Sequence, residues 1–208
     1  MRTLWGRANS GNVMKVIWLL EELRLPYERI DVGGPFGGTD TPQYRAKNPT
    51  GLVPTLQEDE FALWESNVIM RYLASANEAG ESVWPREARA RARAECWLDC
   101  EQTRLARPQS AMFWGYVRTP PEKRDEAAIA QAVKDAAAAY ALIAAALDRS
   151  PFIAGEHLTL ADFAWGPHVH RWLHLPIPDR PEYPSLRRWY DRLLERPAYA
   201  AHVAVPLS

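Results

Sequence analysis

The sequence predicts an α/β unit over residues 1–78 joined to an all-helical unit over residues 85–208. Three observations carry this. Up to about residue 78, short strand-like and helical segments alternate. From about residue 85, one helical period follows another. Between them, Asn77 to Pro85 reads as a linker. At 208 residues the chain is long enough for one large domain or for two small ones sharing an interface.

Thr3-Leu4-Trp5 is a short strand. Ser10 to Leu23 is a helix, because Val13, Val16, Ile17, Leu20 and Leu23 recur at three and four residues, and Pro26 stops it. Tyr27 to Val32 alternates Tyr, Arg and Asp against Ile30 and Val32 and reads as a second strand. Gly33 to Gly38 is too glycine-rich for regular structure. A short helix covers Pro42 to Ala46. Val53 to Gln57 and Phe61 to Trp64 form a hairpin around Glu58-Asp59-Glu60, and Glu65 to Ser75 is a helix. A right-handed crossover makes the first two strands parallel, and the hairpin completes a four-stranded mixed sheet.

Pro85 suits a first helical turn, and a long helix follows from Arg86 to about Val117. Pro108 inside it should kink or break it. Pro120-Pro121 separates it from an alanine-rich helix, Glu122 to Asp148. Thr159-Leu160-Ala161-Asp162 has the form of a capping box, with Leu158 and Phe163 as its hydrophobic staple, and opens a helix to about Leu173. Tyr183 to Glu195 is the last helix, ended by Pro197. The pattern contains no internal repeat.

Composition narrows the function. Hydrophobic content of 47% with 25% charged residues is that of an ordinary globular protein. A net charge of −1 gives no electrostatic case for nucleic acid or an anionic membrane as partner. No uninterrupted apolar run approaches the roughly 18 residues of a membrane span, and Met1 to Gly6 lacks the pattern of a signal peptide. The cysteines, Cys96 and Cys100, are poor material for a disulfide framework and suit a reducing cytoplasm. Their i, i+4 spacing on a helix disfavours a disulfide, and buried thiols are expected. His170 and His174 share one helix face, but no acidic pattern accompanies them, so no metal site is expected.

The most informative stretch is Thr50-Gly51-Leu52-Val53-Pro54-Thr55-Leu56 followed by Leu63-Trp64-Glu65-Ser66-Asn67. A proline in a strand pattern belongs at a strand's first residue, an edge or a bulge, and an X-Pro bond can be cis. Glu65-Ser66 places a carboxylate and a hydroxyl at a helix N-terminus, beside free N–H donors and the positive dipole end. That set offers an acceptor for an ammonium and donors for a carboxylate, as the backbone-like end of a small peptide requires. Each piece alone is an ordinary turn or N-cap; their joint order is far less common.

The whole chain resembles a cytosolic glutathione transferase. Gly51 to Leu56, Glu65-Ser66 and Tyr72-Leu73 are similar to that family's glutathione-binding half. Phe152-Ile153-Ala154-Gly155 through Thr159 to Asp162 resembles its helical-half signature, and Trp189 with Arg196-Pro197 its usual ending. The resemblance implies a thioredoxin-like N-terminal domain, an all-α C-terminal domain and a homodimer. Ala8 to Val16 resembles the bacterial serine/asparagine group: Ser10 falls at the serine of theta- and delta-like members, Asn12 at the asparagine of nu-like ones.

The implied activity is transfer of alkyl or aryl groups to glutathione sulfur, a cytoplasmic detoxification chemistry. Glutathione is the co-substrate, no further cofactor is needed, and the second partner is a hydrophobic electrophile. Ser10 and Asn12 are the candidate thiolate stabilisers, with Ser10 favoured; the alternative role for Ser10 is a plain N-cap, and the thiolate role is preferred to it. Asn12, Val53, Pro54, Glu65 and Ser66 are the candidate glutathione ligands, and the Val53-Pro54 bond is expected to be cis. Leu52 departs from the Lys or Arg many members carry near the glycyl carboxylate; Lys47, Arg45 or the loop at Thr39 would substitute. Trp5, Phe36, Met112, Phe113, Trp114, Tyr116, Trp165 and His168 are possible walls of the electrophile pocket. Two other readings stay open: a glutathione-dependent disulfide reductase or peroxidase, and a non-catalytic glutathione-binding regulatory protein.

Overall fold

The computed structural model describes residues 1–208. Four strands, β1 (Arg2–Trp5), β2 (Glu28–Ile30), β3 (Thr55–Glu58) and β4 (Phe61–Trp64), form one sheet in the order β2-β1-β3-β4. β1 and β2 are parallel, and β3 runs antiparallel to both β1 and β4. This is the predicted sheet, with β2 and β3 shorter than expected. β3 begins at Thr55 rather than Val53, because Pro54 has no N–H to give to the ladder. Helix α1 (Gly11–Glu22) makes the crossover, α2 (Pro42–Lys47) precedes β3, and α3 (Ser66–Ala76) follows β4. Gly33 to Gly38 holds only a 3-10 turn, Gly34–Phe36.

The remainder is helical. The expected long helix is present as α4 (Ala88–Cys100) and α5 (Ala106–Phe113), joined by a π-helical turn at Glu101–Leu105 and followed by a second at Trp114–Arg118. Pro108 cannot donate to the carbonyl four residues back, and its ring crowds that turn. The helix accommodates the proline by widening just upstream instead of breaking. Helix α6 (Glu126–Leu147) starts later than predicted because Asp125 caps it, accepting from the Ala128 N–H at 2.9 Å. It is long and apolar enough to cross a membrane by composition. Here its buried face, from Ile129 through Ala136 and Tyr140 to Leu147, packs on α5 and on α8 (Pro184–Leu194). Helix α7 (Leu160–His174) opens on the predicted capping box of Thr159 and Asp162. A last helix, α9 (Pro197–His202), begins at the proline expected to end the chain's helical structure. Proline is tolerated at a first helical position.

One hydrophobic core runs through both halves. Its seam is α1, which the 3.6-residue period predicts to be apolar on one face. Instead nearly every side chain from Val13 to Leu20 is buried, Lys15 included, because the sheet half covers one side and α7 and α9 the other. Trp18 stacks on Phe163 of α7, ring centroids 4.0 Å apart, and meets Tyr199 of α9 edge-on at 4.8 Å. The sheet half is thereby fixed against the helical half, and the N-terminus of α1 opens between them.

Candidate functional site

The Val53-Pro54 bond is cis. The turn before it is held by buried side chains. Asn48 donates to the Leu52 carbonyl and to Thr55 Oγ1, each at 2.9 Å, while the Tyr44 hydroxyl donates to the same carbonyl at 2.6 Å. With Leu52 so engaged, the N–H and C=O of Val53 make no hydrogen bond within the chain. They are free to pair with an extended peptide in the manner of an added strand. A methyl group at Gly6 would fall 2.6 Å from Val13 Cγ2 and 3.3 Å from Val53 Cβ. Glycine there lets the β1–α1 loop close between the mouth of α1 and the Val53-Pro54 turn.

Past the hairpin, Glu65 is exposed, unpaired and held at φ 69°. A non-glycine residue in that region costs on the order of 1–3 kcal/mol and is characteristic of functional positions. Ser66, the next residue, begins α3 with its hydroxyl buried and without a partner. A free carboxylate and an orphan hydroxyl therefore share one helix N-terminus. Of the expected substitutes for a basic residue at Leu52, Lys47 lies over the Trp5 ring, 4.4 Å from its centroid, whereas Arg45 reaches the Pro49 carbonyl at 3.1 Å and flanks Gly51.

Ser10 is the N-cap of α1, yet its side chain makes no capping hydrogen bond. The capping role that competed with a chemical one is unfilled, and the hydroxyl is uncommitted. Ser10 and the exposed Asn12 line one cavity of about 140 Å³ together with Gln109, Phe113, Trp114 and His168. Arginines complete it: Arg7 from the loop after β1, Arg118 from the end of the long helix, and Arg171 from α7. The Arg171 guanidinium lies 3.9 Å from the centroid of the Phe113 ring and donates to the Asn9 carbonyl at 2.8 Å. A methyl group at Gly11 would fall 3.0 Å from Arg171 Nη1, so the small residue is what lets this guanidinium lie across the start of α1.

Behind the cavity is a buried polar cluster. Lys15 Nζ stands 2.9 Å from Glu101 Oε2, and His168 Nε2 3.0 Å from Glu101 Oε1. Asn67 of α3 adds a hydrogen bond to Glu101 Oε2 at 3.2 Å. Burial opposes the ionised form of Glu101, but the Lys15 ammonium and the His168 ring outweigh it and hold the carboxyl well below its usual range. Burial, with Lys15 nearby, pushes the His168 imidazole down to about 4, so it is neutral at pH 7.

Of the expected electrophile walls, Phe113, Trp114 and His168 converge on the cavity. Trp165 and Met112 are core residues, Trp5 packs against Tyr44, and Phe36 and Tyr116 do not line the cavity. The lining is mostly polar, with Ala106, Phe113 and Trp114 its apolar members, where aromatic walls were expected. Gln109 and the arginines were not anticipated. Cys96 is exposed, and Cys100 is only partly buried at the edge of the core, so neither is the buried thiol expected. His170 is fully engaged, its two ring nitrogens each 2.8 Å from the Tyr190 hydroxyl and the Val205 carbonyl.

Comparison with known proteins settles the family. The models for the glutathione S-transferase N-terminal and C-terminal domains match residues 9–76 and 126–192. The chain belongs to the glutathione S-transferase family. It is 42% identical to glutathione S-transferase GstB of Escherichia coli K12, over 100% of both chains. Among solved structures, a theta class glutathione S-transferase from Xanthomonas axonopodis pv. citri with glutathione bound has a TM-score of 0.95 and 43% identity, covering 100% of this chain and 99% of that one. The disulfide-bond oxidoreductase YfcG of Escherichia coli is 28% identical over 92% of this chain and 89% of its own. The four-stranded sheet with its flanking helices is thus the thioredoxin-like N-terminal domain of the glutathione S-transferase fold, and the helical region is the C-terminal one.

Proposed function

We propose that this glutathione S-transferase binds glutathione between the Val53-Pro54 turn and the Glu65-Ser66 helix start, and ionises its thiol at the mouth of α1. The sulfur is then delivered to an electrophilic carbon in the adjoining cavity. An ordinary thiol, with a pKa near 8.5, is only a few per cent thiolate at neutral pH. A hydroxyl or amide donor aimed at the sulfur, beside a positive dipole end, favours the thiolate without a general base. The observation that carries this reading is the Ser10 hydroxyl, which caps nothing and borders the cavity at that dipole end. Glu65 would accept from the γ-glutamyl ammonium, Ser66 and the free N–H groups of α3 would donate to its carboxylate, and Val53 would pair with the cysteinyl backbone.

The test is calorimetry with glutathione alongside turnover of an activated aryl chloride. Glu65→Ala should weaken glutathione at least tenfold, about 1.4 kcal/mol or more. Unchanged affinity would remove the assignment. Asn12 in the cavity and the similarity to YfcG favour a second reading, in which the same thiolate attacks one sulfur of a disulfide and displaces the other. Turnover of a small disulfide, with none of the aryl chloride, would select it.

A homodimer acting in cytoplasmic detoxification completes the proposal. Phe61, Trp64 and Val68 give β4 and α3 an exposed apolar strip suited to a second copy, and both cysteines are free, as a reducing compartment keeps them. Light scattering that gave a single 23.6 kDa chain at micromolar concentration would remove the dimer.

A further inference from the structure

We propose that the cavity at the mouth of α1 selects electrophiles carrying a carboxylate next to the carbon that the sulfur attacks. This rests on the function proposed above and names its substrate class.

Arg7, Arg118 and Arg171 come from three places far apart in the chain and meet in one cavity with Ser10. No Asp or Glu side chain pairs with any of them, although Arg2, Arg29, Arg71 and Arg196 each pair with one. Arg171 has a neutral partner only, whereas Arg118 meets the main chain of Ser208, the last residue. Arg171 donates to the Asn9 carbonyl, Arg118 donates to the Ser208 main-chain oxygen at 3.2 Å, and both lie over Phe113. Arg7 Nε is buried with no partner. Arg171 is itself only 8% exposed. Burial and the neighbouring Arg118 together pull its guanidinium down to about 10, and Arg7 is lowered for the same two reasons.

Like charges gathered in a partly buried cavity repel one another, and buried cations are ordinarily paired. An anion entering the cavity would relieve that repulsion and receive planar, two-pronged donors, the geometry in which arginine recognises carboxylates. Glutathione is not the intended anion. In the function proposed above its γ-glutamyl end is taken at Glu65-Ser66 and its cysteinyl backbone at Val53, which leaves the arginines on the sulfur side. The cavity, about 140 Å³, admits a compact group. A carboxylate pinned there would hold the adjacent carbon against the thiolate, and orientation of this kind is a large part of a bimolecular barrier. With a haloacetate, the sulfur–carbon bond forms as the carbon–halogen bond breaks. The halide leaves with the bonding pair, and the thiol proton has already gone to solvent.

The full-length protein is tested with a matched pair, iodoacetate and iodoacetamide, each rate corrected for the uncatalysed reaction with glutathione. Calorimetry at low salt on the two products, S-carboxymethylglutathione and S-carbamoylmethylglutathione, reads recognition without turnover. The acid conjugate should bind at least tenfold tighter than the amide, and kcat/KM should favour iodoacetate. Both preferences should fall at least tenfold in Arg171→Gln. Arg118→Gln, at a more exposed site, should show the same direction and keeps the test open if the buried substitution does not fold. Equal affinity for the two conjugates, or a preference that survives both substitutions, overturns the proposal. So does a loss of affinity for glutathione itself as large as that for the acid conjugate, since the arginines would then serve the tripeptide. No binding of glutathione or of either conjugate would overturn both readings, whereas glutathione binding with no preference between conjugates would overturn this one alone.

Discussion

Lys15 of α1 and Glu101 of the long helix meet at 2.9 Å with neither side chain exposed, and this ion pair ties the sheet half to the helical half. Removing one partner of a buried pair leaves an uncompensated charge, which costs about 3–5 kcal/mol, whereas replacing both with apolar groups is often neutral. Lys15→Met and Glu101→Leu should each lower the denaturant midpoint sharply. The double variant should recover most of the loss. Additive losses in the double variant would show that the two side chains do not act as a pair.

At the mouth of α1, Ser10 should matter more to the bound thiol than Asn12. The Ser10 hydroxyl is uncommitted and near-buried, 9% exposed, while Asn12 points from an exposed position. Ultraviolet titration of glutathione's thiolate on the protein should give a clear upward pKa shift in Ser10→Ala and a smaller one in Asn12→Ala. Each unit corresponds to about 1.4 kcal/mol of lost preference for the thiolate. A larger shift in Asn12→Ala would exchange their roles.

Asn48 should act on glutathione through the turn it supports. Asn48→Asp keeps the acceptor for the Thr50 N–H, 3.0 Å away, but loses the donors to Leu52 and Thr55. The new carboxylate oxygen would face those acceptors with no proton to give, a loss of about 1–3 kcal/mol, although Tyr44 still donates to the Leu52 carbonyl. The expected result is a raised KM for glutathione with a smaller change in kcat at saturation, together with a lowered Tm. A Tm loss with an unchanged KM would separate the turn from the site.

Acid should weaken the fold through its histidines. Burial lowers the His170 imidazole from 6.5 to about 4, so between those values the unfolded chain binds a proton that the folded one refuses. The stability this contributes is present above about pH 6.5 and is lost as pH falls toward 4. His168 acts in the same direction. Asp162, pushed up to about 6 by burial, acts against both. In His170→Asn the slope of unfolding free energy over this interval should flatten by up to about 1.4 kcal/mol per pH unit relative to wild type, a difference in which the share of Asp162 cancels.

Local chemistry was the legible part of this chain. The Thr159–Asp162 capping box, the Val53-Pro54 turn and the helix start at Ser66 are written in adjacent residues, and each was located to within a residue or two. What escaped depends on approach between distant segments. Lys15 reads as the polar face of an amphipathic helix until two layers close over it. Nothing in the spacing of Arg7, Arg118 and Arg171 along the chain shows that they share a cavity. Helix α9 was hidden behind Pro197, because proline stops one helix as readily as it starts the next.

The wide turn at Glu101–Leu105 inserts the equivalent of one extra residue into an otherwise α-helical rod, and a residue is worth roughly 100° of rotation. Everything downstream is indexed by that offset, including the faces on which Gln109, Phe113 and Arg118 lie. Deleting a single residue from this turn would leave the Val53-Pro54 turn and the Glu65-Ser66 helix start untouched while swinging those side chains away from Ser10. Length variation at one helical turn would then be enough to re-aim the second substrate's pocket, with no change in the residues that compose it.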